Sequence, residues 1–502
     1  MGWRLLRNAE DIMAQTIRTH TGTETLVQRA RPATIALVLA KHAVLAALLF
    51  GPPLVWALFE GAWMFSTALA APVILGGVAS AIVWRKGLPR DLRGVEAMVS
   101  IALLFLLAAA LSVPAFMTLG MPTAAALFEG MSAITTTGLS MARTPDDWPF
   151  AAHVLRSWMQ WCGGLAMATA VLALVIGPGP AAKAIGKAGI DGRDRIRSTR
   201  AQARELLEAY AALTLLFVVL ISLAIGDLGE GLVLSLSAIS TGGFAPRSDS
   251  LASYTLIGQV AVILASIAGA ISLLAFAHLL TRDGPPIWAH PSVRRVGAAV
   301  VICAVVLACV LLIVPQPPAY LPTLLNLLSG ITTAGFSVSA IPLATPLIVI
   351  FVIAMIVGGD RGSTAGGLKM LRLSTMLAAA RHVITLPRLP ERAVAPFKHR
   401  GEKVSPDYLL MTLAVLGLYA ATALFVWVWL LAQGYPPLSA LFDTVSTLST
   451  VGLSAGVVNP DMTVGTQLVL TLAMWLGRLE FIAVIVLLLP GTWIKTRPPK
   501  GV

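Results

Sequence analysis

The sequence predicts an all-α polytopic membrane protein. It is expected to consist of four helix, pore-loop, helix repeats with pseudo-fourfold symmetry around one pore, preceded by an extra transmembrane hairpin. Of its 502 residues, 57% are hydrophobic and only 12% are charged, unlike a soluble globular protein. Apolar runs of about 20 residues, the length that crosses the hydrocarbon core, recur along nearly the whole chain. A polar, glycine-bearing nonapeptide occurs four times between these runs.

The apolar runs predict ten membrane helices, one of them short. The first thirty or so residues are polar and basic and lack the apolar core of a secretory signal, so we expect this segment to stay in the cytosol. The predicted helices span residues 34–58, 61–84, 95–118, 150–176, 206–226, 253–280, 296–314, 343–357, 406–432 and 465–489.

The basic residues indicate the orientation of the chain. The net charge is +12, but Lys and Arg concentrate in alternate links between apolar runs, as the positive-inside rule arranges them, rather than in a nucleic-acid-binding patch. Both termini are therefore expected in the cytoplasm. The opposite links are rich in acids, which either concentrate cations at a pore mouth or simply reflect the exclusion of basic residues. Those outer acids are Glu129, Asp146, Asp147, Asp227, Glu230, Asp249, Asp443 and Asp461, beside Arg143 and Arg247.

The four nonapeptides fit the pattern S-x-[IL]-[ST]-T-x-G-[LF]-[SA]. They read "SAITTTGLS" at 132, "SAISTGGFA" at 237, "SGITTAGFS" at 329 and "STLSTVGLS" at 446. A pattern that recurs at intervals of roughly one hundred residues indicates an architectural repeat. Each follows an apolar run of only about ten residues, too short to span the bilayer, which predicts a half-helix that enters the membrane and turns back.

The turns predict rings of oxygen atoms. Irregular backbone at membrane depth is tolerated where it is buried in protein or lines a watery cavity, so four such turns are best placed around one axis. Glycine permits positive φ, and the adjacent threonine adds a hydroxyl oxygen. Carbonyl rings replace the hydration shell of a monovalent cation, and half-helix C-termini favour a positive charge. Four ordinary extracellular turns are the alternative, which the recurrence at equivalent positions disfavours.

Two carboxylates share one position in their repeats. Glu129 and Asp443 lie six residues before the hydroxyl residue that begins the turn, where the third repeat has Asn326 and the second has Leu234. The pattern leaves open whether these side chains support the filter from behind or form a charged rim.

A glycine-rich stretch interrupts the third repeat. "VGGDRGSTAGG" at 357–367 falls where the inner helix should cross the membrane. Each helix-interior glycine costs about 1 kcal/mol relative to alanine, so a straight helix is not expected there. A flexible loop beneath a filter suits a gate, and a plain cytoplasmic link is the alternative. The gate residues expected in this stretch are Gly358, Gly359, Asp360, Gly362, Ser363, Gly366 and Gly367.

The last apolar run contains a charged residue with a predicted role. Arg478 lies deep in "TLAMWLGRLEFIAVIVLLL", and an arginine near the bilayer centre costs about 2.5 to 3.5 kcal/mol unless it has partners. Carbonyls of the glycine-rich loop, or Asp360, would supply them, making Arg478 a latch on the closed gate. The alternative is that Arg478 reaches the cytoplasmic interface.

These motifs together resemble the Trk/Ktr/HKT superfamily of potassium transporters, specifically its TrkH-type membrane subunits. The resemblance covers nearly the whole chain after about residue 34. It is carried by the four nonapeptides, "GGDRGSTAGGLK" at 358–369, "GRLE" at 477–480 and "RSWMQWCGG" at 156–164.

The resemblance implies potassium uptake across the bacterial inner membrane through a four-loop carbonyl filter and an intramembrane gating loop. It also implies K⁺ as the bound ion with no organic cofactor in this chain, a homodimer in the lipid bilayer, and a cytosolic nucleotide-binding regulatory subunit, without nucleic acid. The filter residues so implied are Thr136, Thr137, Gly138, Thr241, Gly242, Gly243, Thr333, Ala334, Gly335, Thr450, Val451 and Gly452.

Two departures and one selectivity question accompany the resemblance. Asp360 and Arg361 place charges where the family usually has small or neutral residues, so gating is expected to respond differently to pH or salt. Sodium-selective relatives replace the first filter glycine by serine, and Gly138 therefore indicates potassium. One glycine per loop predicts modest discrimination, with some sodium passage.

Other functions fit the sequence less well. No two histidines are four residues apart and no Walker-type loop is present, so a membrane enzyme is not expected. An alternating-access carrier for a small solute would show inverted two-part repeats rather than four parallel ones. That carrier and a sodium-permeable cation transporter are the alternatives. The expected divisions are residues 1–33 (cytoplasmic segment), 34–94 (hairpin), 95–190, 191–290, 291–400 and 401–502 (the four pore repeats, the last with a cytoplasmic tail).

Overall fold

The computed structural model describes residues 29–87, 92–176, 199–281, 286–342, 344–390, 395–399 and 402–494. The predicted cytosolic segment before residue 29, residues 177–198 of a predicted basic link and the tail after residue 494 lie outside the described residues. The described chain is helical apart from connecting loops and a two-stranded hairpin, Lys398–His399 with Glu402–Lys403. The predicted all-α membrane architecture is confirmed.

The chain begins with the predicted hairpin. Pro32–His42 and Leu45–Glu60 form one span of 29 residues, and Trp63–Val83 returns across the membrane. Gly61, with a φ of 76°, makes the turn between them. Six described helices are long and apolar enough to cross a bilayer, or eight if two sharply bent helix pairs each count as one span.

Four units follow, each with an outer helix, a short pore helix and an inner helix. Gly120, Gly226 and Gly434 turn the chain from outer to pore helix with φ of 86°, 79° and 86°, a conformation that glycine adopts without steric cost. The third unit uses the proline-rich segment 315–318 instead. The outer helices are Gly94–Thr118, Thr199–Ile225, Pro291–Leu311 and Pro406–Ala432, and the pore helices are Thr123–Ile134, Leu228–Ile239, Tyr320–Ile331 and Pro437–Leu448.

The inner helices differ from the prediction in the second and fourth units. A single helix was expected over 253–280 and another over 465–489, but both are broken. Leu256–Ala270 and Leu273–Thr281 meet at 88°, and Val464–Arg478 and Ile482–Leu488 meet at 120°. The first inner helix, Phe150–Ile176, is continuous, and the third, Thr345–Val357, ends at the glycine-rich stretch as expected. The stretch after it, assigned to a basic link, contains a helix, Met370–Thr385.

The break between Ala270 and Leu273 is stabilised by the glycine-rich loop, which we define as residues 358–369. Asp360 N donates to Ala270 O at 3.1 Å, and Leu273 N donates to Gly362 O at 3.0 Å. Backbone groups that leave a helix within the membrane need partners inside the protein. The loop supplies them, which explains why no proline or glycine cluster marks this break in the sequence.

Large apolar side chains pack the units in two clusters. One joins the hairpin to the first and fourth units through Phe50, Phe116 and Phe128, and the other fills the second and third units around Tyr210 and Phe351. Exposed apolar side chains such as those of Leu215, Leu223 and Leu312 cover the perimeter, as expected for a surface in contact with lipid.

Candidate ion-binding site

The four nonapeptides, called loops 1 to 4 below, share one backbone conformation. The threonine two positions before each conserved glycine has a positive φ of 49° to 55°, and the glycines have φ between 76° and 102°. Left-handed backbone is rare for a β-branched residue and persists only where its surroundings enforce it. The threonines are Thr136, Thr241, Thr333 and Thr450, and the glycines are Gly138, Gly243, Gly335 and Gly452.

The loops also share a backbone hydrogen bond. In each, the N–H of the residue before the conserved glycine donates to the carbonyl of the serine that begins the nonapeptide. This bond fixes the turn at the end of every pore helix. The pairs are Thr137 with Ser132 at 2.9 Å, Gly242 with Ser237 at 2.8 Å, Ala334 with Ser329 at 2.9 Å and Val451 with Ser446 at 2.8 Å.

The four loops touch one another in a closed ring. A Cβ atom added to any of the four glycines would overlap a backbone carbonyl oxygen of a neighbouring loop. Glycine is therefore required here both for its φ and for the close approach of two backbones. The contacts run from Gly138 to the carbonyl of Gly242, from Gly243 to that of Ala334, from Gly335 to that of Val451, and from Gly452 to that of Thr137.

Three loops are braced by a buried side chain from their own pore helix. Glu129 accepts from Met141 N at 2.8 Å, Asn326 accepts from Val338 N at 2.8 Å, and Asp443 accepts from Ala455 N at 2.6 Å. Glu129, Asn326 and Asp443 are fully buried. Glu129 and Asp443 therefore support the loops from behind and do not form a charged rim.

Arg156 of the first inner helix was not recognised as a site residue from the sequence. Its side chain is 2% exposed. It contacts Glu129 Oε1 at 3.2 Å and donates to the carbonyl of Ala245 in loop 2 at 2.9 Å. The guanidinium also lies 5.0 Å from the ring centre of Trp148 and 4.7 Å from that of Phe244, within the range of cation–π attraction. Arg156 thus connects Glu129, the residue that braces loop 1, to loop 2.

Glycines of the inner helices let those helices approach the loops closely. A Cβ on Gly163, Gly269 or Gly477 would overlap the carbonyl oxygen of the residue four positions before a conserved loop glycine. Small residues allow such backbone contact between membrane helices. The Gly163 carbonyl also lies 3.5 Å from Arg478 Nη2, and Gly477 directly precedes Arg478. The Gly269 carbonyl accepts from Thr364 N of the glycine-rich loop at 3.2 Å.

The glycine-rich loop lies directly against loops 2, 3 and 4. Gly366 N donates to Thr333 Oγ1 of loop 3 at 2.6 Å, and Gly367 N donates to Ser449 O of loop 4 at 3.0 Å. Thr364 Oγ1 donates to the carbonyl of Ile239 in loop 2 at 2.9 Å. The glycine-rich loop therefore contacts three of the four loops. Its φ values at Gly358, Gly362 and Gly367 are 64°, 75° and 72°.

Arg478 is buried against this loop. Its side chain is 2% exposed, which excludes the interpretation that it reaches the interface. Nη1 donates to the carbonyl of Thr364 at 2.9 Å, and Nη2 lies 3.5 Å from the carbonyl of Gly163. The expected loop carbonyl is thus a partner of Arg478.

Asp360, the other partner considered for Arg478, pairs elsewhere. Its carboxylate is fully buried and bonds Arg295 of the third outer helix, whose Nε lies 3.0 Å from Oδ1. Arg372, just after the loop, bonds Glu480 at the break of the fourth inner helix at 2.5 Å. Two ion pairs therefore connect the glycine-rich segment to its neighbours.

The links predicted to lie outside contain more acidic than basic residues. Among the described residues, the arginines of these links are paired, Arg143 with Asp461 at 2.5 Å and Arg247 with Glu230 at 2.9 Å. A hydrogen bond to Ser248 lowers the pKa of Asp146 below its ordinary value. The Asp146 carboxylate thus remains negatively charged at neutral pH.

Within the described residues, no group of three His, Cys, Asp or Glu side chains is placed to hold a metal ion. The contacts among the four loops bring backbone carbonyl oxygens close together. Carbonyl oxygens are ligands that suit a hard monovalent cation.

The chain is similar to known cation transport proteins. The family TrkH, described as a cation transport protein, matches residues 101–491. An uncharacterised cation transporter of Methanocaldococcus jannaschii is 24% identical over 83% of this chain and 87% of its own length. The Trk system potassium uptake protein TrkH of Escherichia coli is 29% identical over 73% of this chain and 79% of its own length.

A solved structure has the same fold. The crystal structure of the potassium transporter TrkH from Vibrio parahaemolyticus superposes with a TM-score of 0.80 at 23% sequence identity. The superposition covers 92% of this chain and 99% of the other.

Proposed function

This chain belongs to the TrkH family of cation transport proteins, and we propose that it takes up potassium across the bacterial inner membrane. The observation that carries the proposal is the closed ring of four loops with one shared backbone conformation. Alternation of left-handed and other residues lets successive carbonyls point the same way, and four such loops in a ring would present these oxygens toward a common centre. Such oxygens replace the water shell of an alkali cation.

The threonine hydroxyls add to the proposed ligand set. Thr136 Oγ1 and Thr450 Oγ1 are buried and have no hydrogen-bond partner among the described residues, so their lone pairs are free for a cation. Thr333 Oγ1 is instead occupied by Gly366 N. Movement of the glycine-rich loop would release this third hydroxyl toward the same centre.

Potassium is the expected ion. Loop 1 has glycine at position 138, where sodium-selective relatives have serine. The relatives from Escherichia coli and Vibrio parahaemolyticus are named potassium uptake proteins. The ring of backbone oxygens carries no formal charge, and its selectivity depends on the number and placement of its carbonyl dipoles. With one glycine in most loops, some sodium passage is expected.

The glycine-rich loop is the proposed gate. It lies against loops 2, 3 and 4 and is held by Arg478 at the Thr364 carbonyl and by Arg295 at Asp360. Just after the loop, Arg372 pairs with Glu480. An ion leaving the filter on this side would have to displace the loop. Because each of its hydrogen bonds contributes about 0.5 to 1.5 kcal/mol, a regulatory partner could shift the loop by offsetting a few of them.

The family resemblance supplies the proposed assembly. We expect a homodimer with both termini in the cytoplasm and a cytosolic nucleotide-binding regulatory subunit on the face that bears the basic links. Each subunit would enclose its own pore, since all four loops of the ring come from one chain.

Uptake of ⁸⁶Rb⁺ into liposomes that contain the purified protein tests the proposal. Potassium should compete with rubidium most strongly, sodium weakly and an uncharged organic solute not at all. The same protein should restore growth of a potassium-uptake-deficient bacterium at low external potassium. Saturable uptake of an organic solute without cation flux would instead identify an alternating-access carrier.

A further inference from the structure

Loop 2 lacks the brace that the other three loops share. At the position of Glu129, Asn326 and Asp443, the second pore helix has Leu234, which cannot accept a hydrogen bond. The N–H that the brace would bind is also missing, because the corresponding residue of loop 2 is Pro246. Loop 2 is therefore supported in a different way.

A side chain from the first repeat, that of Gln160, supports loop 2 instead. Gln160 lies in the first inner helix and is fully buried. Its Nε2 donates to the carbonyl of Gly242 at 2.6 Å, and its Oε1 accepts from Ser237 Oγ at 2.7 Å. The two ends of the amide thus hold both the beginning of loop 2 and the residue before its conserved glycine.

The carbonyl that Gln160 holds belongs to the ring of loops. The Gly242 oxygen is the one that faces Gly138 of loop 1, and the equivalent carbonyls of the other loops are those of Thr137, Ala334 and Val451. Because one of its lone pairs is bound by the amide of Gln160, the Gly242 carbonyl has less freedom to swing than a carbonyl held only by the backbone.

The residue type at position 242 reflects this contact. A Cβ atom on Gly242 would overlap the amide group of Gln160, so glycine at this position admits the glutamine. Loops 1, 3 and 4 have threonine, alanine and valine at the same position. The second glycine of "STGGF" is therefore explained by packing rather than by backbone conformation, since only Gly243 of the pair has positive φ.

Arg156 continues the support on the same helix face. Residues 156 and 160 are four apart, so their side chains project in the same direction. Arg156 holds the carbonyl of Ala245 at 2.9 Å while Gln160 holds that of Gly242 at 2.6 Å. The first inner helix thus fixes loop 2 on both sides of Gly243.

We propose that Gln160 is a positioning residue for ion discrimination, which fixes the Gly242 carbonyl at a distance from the axis that suits potassium better than sodium. The inference rests on the proposed potassium transport. Binding the smaller sodium ion would require the carbonyls to move inward, and the Gln160 amide opposes this movement at loop 2. At loop 2 the proposed ion ligand is therefore held by a side chain from the first repeat.

Selectivity measurements on purified variants in liposomes test the inference. Gln160→Leu removes both polar ends of the amide at similar volume. It should lower the ratio of ⁸⁶Rb⁺ to ²²Na⁺ uptake about three- to tenfold, as expected for the loss of one hydrogen bond's net contribution, while rubidium uptake continues. Gly242→Ala should lower the ratio as well, because its methyl group displaces the amide. The double variant should be no less selective than the more affected single variant.

Gln467→Leu is the matched control. Gln467 is a buried glutamine of the fourth inner helix whose Nε2 donates to the Met462 carbonyl, outside the four loops. Its replacement should leave the ratio unchanged. Equal loss of rubidium and sodium uptake in Gln160→Leu would indicate a merely structural role and overturn the inference, as would an unchanged ratio. If Gln160→Leu fails to fold, an unchanged ratio in Gly242→Ala overturns it. Absence of alkali-cation uptake by the unmodified protein would count against the proposed function instead.

Discussion

The guanidinium of Arg295 and the buried carboxylate of Asp360 form an ion pair that ties the third outer helix to the glycine-rich loop. Asp360 is fully buried, whereas the Arg295 side chain is 19% exposed. Loss of the aspartate charge therefore leaves an arginine that can still reach water, and loss of the arginine would leave a buried carboxylate without its partner.

Asp360→Asn is expected to raise basal ⁸⁶Rb⁺ uptake several-fold, because the loop proposed as the gate loses one of its attachments. Uptake into liposomes without any regulatory subunit measures this effect. The exchanged pair Arg295→Asp with Asp360→Arg restores the attraction and should bring uptake back toward that of the unmodified protein. Equal uptake by all three proteins would show that the ion pair has no influence on the gate.

Neutralising Arg478 should increase ion leak. Arg478→Gln removes the charge that holds the Thr364 carbonyl at 2.9 Å, so the loop should leave the filter more often. The measurement is rubidium uptake by protein that has been shown to be correctly inserted. Arg204→Gln serves as the control, since Arg204 is 81% exposed and pairs with Glu208 on its own helix. Unchanged or reduced uptake in Arg478→Gln would contradict the proposal that Arg478 holds the glycine-rich loop in place.

Replacing a loop glycine should abolish selective uptake. In Gly138→Ala, the new methyl group would overlap the carbonyl of Gly242 and would also sit at a φ of 85°. Gly456→Ala separates these two causes, because Gly456 has a φ of 93° but open space around its Cβ position. Rubidium uptake should therefore survive in Gly456→Ala only. Similar losses in both variants would mean that backbone strain alone, and not the contact between loops, is responsible.

Asp443→Asn should destabilise the fourth repeat. The carboxylate accepts hydrogen bonds from Ser454 Oγ, Ala455 N and Val458 N at 2.6, 2.6 and 2.9 Å. An amide has only one acceptor oxygen, and its NH₂ group would face a donor, so a loss of about 2 to 4 kcal/mol is expected. The midpoint of thermal unfolding in detergent should fall. Asp461→Asn is the control, because Asp461 is 75% exposed and exposed pairs contribute little.

The repeated loops could be predicted because their information is local. Each nonapeptide carries its own glycine, its own threonine and a preceding apolar run, and those features alone indicate a turn within the membrane. The five glycines of 358–367 likewise predicted that the third inner helix stops before this stretch, and it ends at Val357. Hydrophobic length and composition located the helices for the same reason.

Contacts between distant residues could not be predicted in this way. The break after Ala270 depends on backbone hydrogen bonds in which Asp360 N donates and Gly362 O accepts, roughly ninety residues later in the chain. The break at Glu480 lies within an apolar run that predicted one continuous helix. Asp360 was expected near Arg478 because both are charged and intramembrane, but the fold places Arg295 beside it. The repeat of loop 2 differs from the others at Leu234, Gly242 and Pro246. These differences are consistent with the Gln160 contact, but they do not identify Gln160 as the partner.

The closed ring of contacts among Gly138, Gly243, Gly335 and Gly452 comes from one polypeptide, and this has an evolutionary consequence. In a symmetric homotetramer, one codon change alters all four quadrants of the channel mouth together. Here a single mutation changes the sequence of one loop and leaves the sequences of the other three unchanged. The proposed ion preference can therefore change through one loop at a time.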